Sequence, residues 1–185
     1  MSAKRIHSID FLRGLVMILM ALDHVRDFFH NGAMQGNPLD LNTTTPILFF
    51  TRWITHYCAP VFIFLSGTSI FLVGERKSKK QLSYFLLTRG LWLIAAEIMI
   101  VGPGWTFDFQ YHMIALQVIW AIGISMVIMG GLIWLPYRVI FMIGFLLVFG
   151  HNLLDPVEAL HKEPFGFWWD LLHRGNFVFY PYADG

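Results

Sequence analysis

Asp10, Arg13, Asp23, His24, Arg26, Asp27 and His30 all fall within one stretch, Arg5–His30, RIHSIDFLRGLVMILMALDHVRDFFH. Their types and spacing suit acid–base work beside an anion-binding group. Asp27 follows His24 by three residues and His30 follows Asp27 by three, both neighbour spacings on a helix. A carboxylate beside an imidazole fixes its tautomer and raises its basicity, as a general base requires. Asp23 adds a second carboxylate next to His24. Arg13 precedes His24 by eleven residues, about 16 Å along a helix axis at ~1.5 Å per residue. Its planar guanidinium suits a phosphate group near the inner surface.

The element that must carry these groups is a membrane helix. At ~100° per residue, Asp10, Arg13, Met17, Met20, His24 and Asp27 share roughly a quarter to a third of the circumference, with Asp23 and His30 beside them. Leu12, Leu15, Ile18, Leu19 and Leu22 cover the rest. An ionisable group at mid-bilayer costs about 2.5–3.5 kcal/mol even on the mild insertion scale. Such groups face a bundle interior or a water-filled cavity, and they are functional-site candidates by default. A row of them predicts a polar path across the membrane.

Further candidates complete the set, Arg26 on this helix and the others outside it. Arg26, Arg52 and His56 are read as substrate-binding cations, Arg52 and His56 sharing a helix face at i, i+4 and facing His24 across an outer cavity. Interfacial anchoring is the plainer role for that pair. Glu97 lies eight residues from Arg89, more than two turns, so its partner is expected on another helix. Gln117 reads as an interhelical hydrogen bonder before it reads as a substrate ligand. His151 and Asn152 near the end of the fifth span have the same structural reading. His112, His161 and His173 stand in loops. No spacing such as HExxH supports a metal site.

The totals agree with a membrane chain. Of 185 residues, 56% are hydrophobic and 14% charged, against about 25% charged in an average soluble domain. A net charge of +1 points to no nucleic-acid partner. A lone cysteine, Cys58, excludes an internal disulfide. No cleavable leader is evident, because Asp23, His24 and Arg26 occupy the place of a small-residue cleavage site.

The predicted fold is all-α and polytopic, a single transmembrane domain over 1–185. About five spans are expected near 9–29, 57–74, 82–101, 113–134 and 139–153, with an outer tail over 154–185. Ile47–His56 reads as an interfacial or cavity-lining lead-in, opened by Pro46 and separated from span two by a break that Pro60 causes. GPGWTFDF, Gly102–Phe109, reads as a loop. The basic loop Glu75–Lys80, with Lys4, Arg5 and Arg138, places the amino end inside by the positive-inside rule. That loop is chiefly a topology determinant that also meets anionic lipid. Five spans and an open tail suggest a chain incomplete at its C-terminus, or one sealed by a partner or by a second copy.

RIHSIDFLRGLVMILMALDHVRDFF resembles the opening of the bacterial membrane proteins related to heparan-α-glucosaminide N-acetyltransferase, long catalogued as a domain of unknown function. TRWITHYCAPVFIFLSGTSIFL resembles the second motif of that family, and LQ within IALQVIWAIGIS its fourth-span motif. The resemblance runs through nearly the whole chain and covers the amino-terminal half of the family's catalytic unit. The wider transmembrane acyltransferase group carries an Arg, ten residues, then a His in its first span, and Arg13 and His24 match that spacing. The resemblance implies an acetyl-CoA donor entering from the cytosol and a glycan-type acceptor on the outer side. It implies that Arg13, with Asp10 beside it, helps hold the donor, and that His24 is the general base or a transient acyl carrier. In the lysosomal branch the reactive histidine lies further on, in the lumenal loop. The ungapped equivalent here is Gln35, and His30 meets that position only with a gap.

The expected protein is therefore a multi-pass inner-membrane acyltransferase in contact with lipid, using acetyl-CoA and no metal. The alternatives are a proton-coupled transporter and a non-catalytic membrane subunit.

Overall fold

The computed structural model describes residues 7–29, 39–41, 44–111 and 116–156. His30, Gln35, His112, His161 and His173, and the side chain of Asp27, lie outside what it describes. Every element among the described residues is helical. The chain forms two compact units, Met1–Glu75 and Arg76–Gly185.

The first unit contains α1 (His7–Phe29), α2 (Pro46–Thr55) and α3 (Cys58–Gly74). The Thr45 hydroxyl accepts from the Leu48 N–H at 3.4 Å, and Pro46 takes the first helical position, where its missing N–H is no loss. The break between α2 and α3 falls at His56 and Tyr57. Pro60 explains it: the ring has no N–H to donate and excludes the carbonyl four residues earlier, that of His56. The lead-in helix and the Pro60 break are thus where the sequence puts them. The whole run Pro46–Gly74 is 29 residues long, and its length and apolar character suffice to cross a bilayer.

The second unit contains α4 (Lys79–Ala96), a π-helical turn (Glu97–Val101), α5 (Gly102–Thr106), α6 (Val118–Leu132), α7 (Tyr137–Gly150) and a final 3₁₀ turn (His151–Leu154). A capping box starts α4: the Ser78 hydroxyl accepts from the Gln81 N–H, and the Gln81 side chain accepts from the Ser78 N–H. Helix then continues without a stop to Thr106, giving a run of 28 residues, also long and apolar enough to cross a bilayer. The loop expected from Gly102 therefore begins five residues later, at Phe107. Pro103 is tolerated because the preceding turn widens: the Gly102 N–H reaches back five residues to the Glu97 carbonyl. Phe107, at φ 54°, ends the helix in the left-handed region.

Close packing of α4 on α6 is the core of this unit. Small residues recur every seven positions, Ser83 and Gly90 on α4, Gly123 and Gly130 on α6. A Cβ on Gly90 would lie 2.6 Å from the Gly123 carbonyl oxygen, and one on Gly123 would lie 2.9 Å from the Gly90 oxygen. Only glycine permits this approach, the usual device where lipid supplies no hydrophobic driving force between helices. The Ser83 hydroxyl donates to the Gly130 carbonyl at 2.7 Å, and Leu86 is fully buried between them. By contrast α7 has no buried residue, and its Phe141, Phe145 and Phe149 stack along one side.

Candidate functional site

Among the described residues, three side-chain contacts help bind the charged helix α1 to its neighbours in the first unit. Near its start, Arg13 donates to the Ser69 hydroxyl of α3. Ser69 in turn donates to the Leu65 carbonyl at 2.6 Å, so its lone pairs are aimed at the guanidinium. Asp10 stands 4.0 Å from Arg13, both side chains being over a third exposed. Half-exposed Arg13 can hold an anion without giving up its anchor on α3.

The second and third contacts meet at Asp23. Its carboxylate accepts from Arg26 Nη2 at 2.8 Å, from Arg52 Nη1 at 3.0 Å and from the Thr55 hydroxyl at 2.6 Å. Asp23 and Arg26 are mostly buried, with side chains 13% and 8% exposed, whereas Arg52 is 34% exposed. Two guanidiniums sharing one carboxylate in a mostly apolar setting is an arrangement that charge-assisted hydrogen bonds can sustain. It ties α2 to α1 at the residue before His24.

His24 itself is half-buried, with its Nδ1 enclosed. The cluster thus brings together Asp23, Arg26 and Arg52 of the residues singled out by sequence, with Arg13 and Asp10 on the same helix some 10 residues earlier. His56 is not among them. It caps the end of α2, is exposed, and packs edge-on against Tyr57 at 6.5 Å. Arg52, read from sequence as an interfacial anchor or as a cation facing His24 across an outer cavity, reaches Asp23, the residue before His24. Thr55, a residue not singled out by sequence, is the buried hydroxyl that completes the cluster.

The packed face of α1 is also shifted from the expected stripe. Val16 and Asp23 are among its most enclosed positions along with Arg26; the first two lie roughly 60–80° round the helix from Arg13 and Arg26 about 140°. Met17, expected on the inner stripe, is 55% exposed. Arginine is long enough to reach α3 from the edge of that face, which is why Arg13 still makes its contact.

Glu97 and Gln117 belong to the second unit and have a structural explanation there. Glu97 is fully buried at the start of the π-helical turn. Its Oε1 accepts from the Gln117 N–H at 2.9 Å, and the Trp120 N–H also addresses the carboxylate. Those N–H groups open α6, whose own sequence supplies no side-chain cap. A carboxylate from α4's extension therefore caps α6 and meets the positive end of its dipole. Gln117 contributes its backbone N–H to this contact. The described residues contain no group of three or more His, Cys, Asp or Glu arranged for a metal ion.

The family described as heparan-alpha-glucosaminide N-acetyltransferase, catalytic, matches residues 5–182. The chain belongs to that family, one of membrane-embedded acetyltransferases. No curated protein and no solved structure matches it.

Proposed function

We infer that the protein is a multi-pass inner-membrane acyltransferase, its amino end cytoplasmic, with the five apolar helical stretches as spans. It moves an acetyl or other short acyl group from cytosolic acyl-CoA to a glycan-type acceptor on the outer side. The observation that carries this reading is the family match over residues 5–182. The charged first helix supports it, since CoA is too polar to cross lipid and the chemistry needs an internal polar route.

In this reading Arg13 holds a donor phosphate at the inner side, with Asp10 steadying its guanidinium. Ser69 orients that guanidinium from α3. His24, about 16 Å further along the helix axis, takes the proton from the acceptor amine or hydroxyl as the new bond to the acyl carbon forms. The thioester C–S bond breaks, and the departing thiolate takes the proton that His24 accepted and leaves as the thiol. Asp23, through Arg26, Arg52 and Thr55, fixes the turn on which His24 sits. Asp27 is the carboxylate at neighbour spacing that would support the imidazolium, and His30 is the alternative reactive histidine. Arg52, the most exposed member of the cluster, is the acceptor-side cation, with His56 beyond it. Radiolabelled acetyl-CoA added to membranes carrying the full protein, with a panel of sugar acceptors, tests this. Labelled acceptor that depends on the protein is the expected product. Proton-dependent solute flux with no labelled acceptor would instead make the protein a carrier.

A further inference from the structure

An open groove of about 350 Å³ runs between α1 and α2, lined chiefly by Leu19, Leu22, Ile47, Phe50, Ile54 and Thr55. That volume is at the lower end of the ~300–1,000 Å³ range of small-molecule sites. Its walls are almost wholly hydrocarbon, and Ile47 and Phe50 are 82% and 59% exposed, so it opens outward. Thr55 belongs to this wall and to the charged cluster at once, because its hydroxyl donates to Asp23. The apolar groove and the arginines therefore adjoin.

Arg52 makes the junction specific. It spends Nη1 on Asp23 and leaves a third of its side chain exposed on the helix that forms the groove's outer wall. A guanidinium has five N–H donors in a planar fork that matches phosphate oxygens. A water-soluble anion would leave the groove empty, and an uncharged hydrocarbon would leave the fork unused. An amphipathic molecule with an anionic head uses both.

We propose that the α1–α2 groove binds an anionic phospholipid of the surrounding membrane, an acyl chain lying along Leu22, Phe50 and Ile54 and the phosphate resting on Arg52. The assignment gives the exposed N–H groups of Arg52 to a lipid phosphate in place of the acceptor, and it stands whether or not acyl transfer occurs. The test places the full protein in nanodiscs holding equal parts phosphatidylcholine and phosphatidylglycerol, and counts by native mass spectrometry the lipids that survive detergent washing. The wild-type protein retains phosphatidylglycerol over phosphatidylcholine by about tenfold, the scale of one charge-assisted hydrogen bond. Arg52→Gln abolishes the preference and Arg52→Lys keeps most of it. Leu22→Trp, which fills the groove without touching the cluster, lowers retention of both lipids. Unchanged helix content and a cooperative melting transition, lowered by no more than a few degrees in Arg52→Gln, show that these variants fold. Equal retention of the two lipids by the wild type, or an undiminished preference in Arg52→Gln, overturns the proposal. So does competition by soluble glycerol phosphate as strong as by the full lipid. A photoreactive group at position 50 that captures protein in place of lipid would assign the groove to another chain segment or a second copy, and would overturn it as well.

Discussion

Replacing Asp23 with alanine removes one carboxylate that holds three side chains: Arg26 at 2.8 Å, Arg52 at 3.0 Å and the Thr55 hydroxyl at 2.6 Å. Two guanidiniums would then share the site without the negative charge between them, one of them on a side chain only 8% exposed. Breaking a buried ion pair by deleting one partner costs about 3–5 kcal/mol. Deleting the more exposed partner costs far less, so Arg52→Gln is expected to lose about 1 kcal/mol or under. Asp23→Asn falls between, because the amide oxygen still accepts from Thr55. The double variant Asp23→Ala/Arg26→Leu recovers much of the loss, since an apolar pair of similar volume can replace a buried ion pair without penalty. Thermal or denaturant unfolding of the purified protein in one detergent gives all four values. If Asp23→Ala were no less stable than Arg52→Gln, the carboxylate would not be what fastens α2 to α1.

Two further perturbations probe the second unit. Gly90→Ala puts a methyl 2.6 Å from a backbone oxygen that cannot yield without moving α6, so unfolding should show a loss of about 1–3 kcal/mol. Gly131→Ala, with nothing within 4 Å, should be neutral or gain up to about 1 kcal/mol in the same assay. Glu97→Ala removes the acceptor that caps α6 and should lower stability by about 0.5–2 kcal/mol, whereas Glu97→Gln keeps an acceptor for the Gln117 N–H and should lose less. Neither Glu97 variant should raise the KM for donor or acceptor if the residue only caps a helix, and steady-state kinetics read that directly.

The all-helical character was legible from the apolar runs, and the α2–α3 break from the steric demand of Pro60, whereas α6 starts only at Val118, inside the run expected from 113. The end of the third apolar run was not legible, because Gly102 and Pro103 read as a stop. The π-helical turn before them, which lets a proline sit inside a helix, leaves no signature in composition. The inner face of α1 was legible only to within a fraction of a turn. Periodicity ranks residues by type, and it put Met17 inside with Arg13. Packing instead follows Val16 and Asp23, with Arg13 reaching in from the side. Glu97 was rightly expected to find its partner on another helix. That this partner is a backbone N–H could not be read from side-chain identity, since every residue but proline offers one. Thr55 went unnoticed for a related reason: a lone threonine becomes significant only once Asp23 is known to lie 2.6 Å away.

The decisive measurement is acetyl transfer from labelled acetyl-CoA by His24→Ala beside the wild-type protein, in membranes with matched amounts of folded enzyme. Loss of a general base should slow transfer by about 10²–10⁴-fold, with helix content and melting temperature unchanged. Transfer by His24→Ala at the wild-type rate would show that His24 is neither the general base nor the acyl carrier and that the reactive group lies elsewhere.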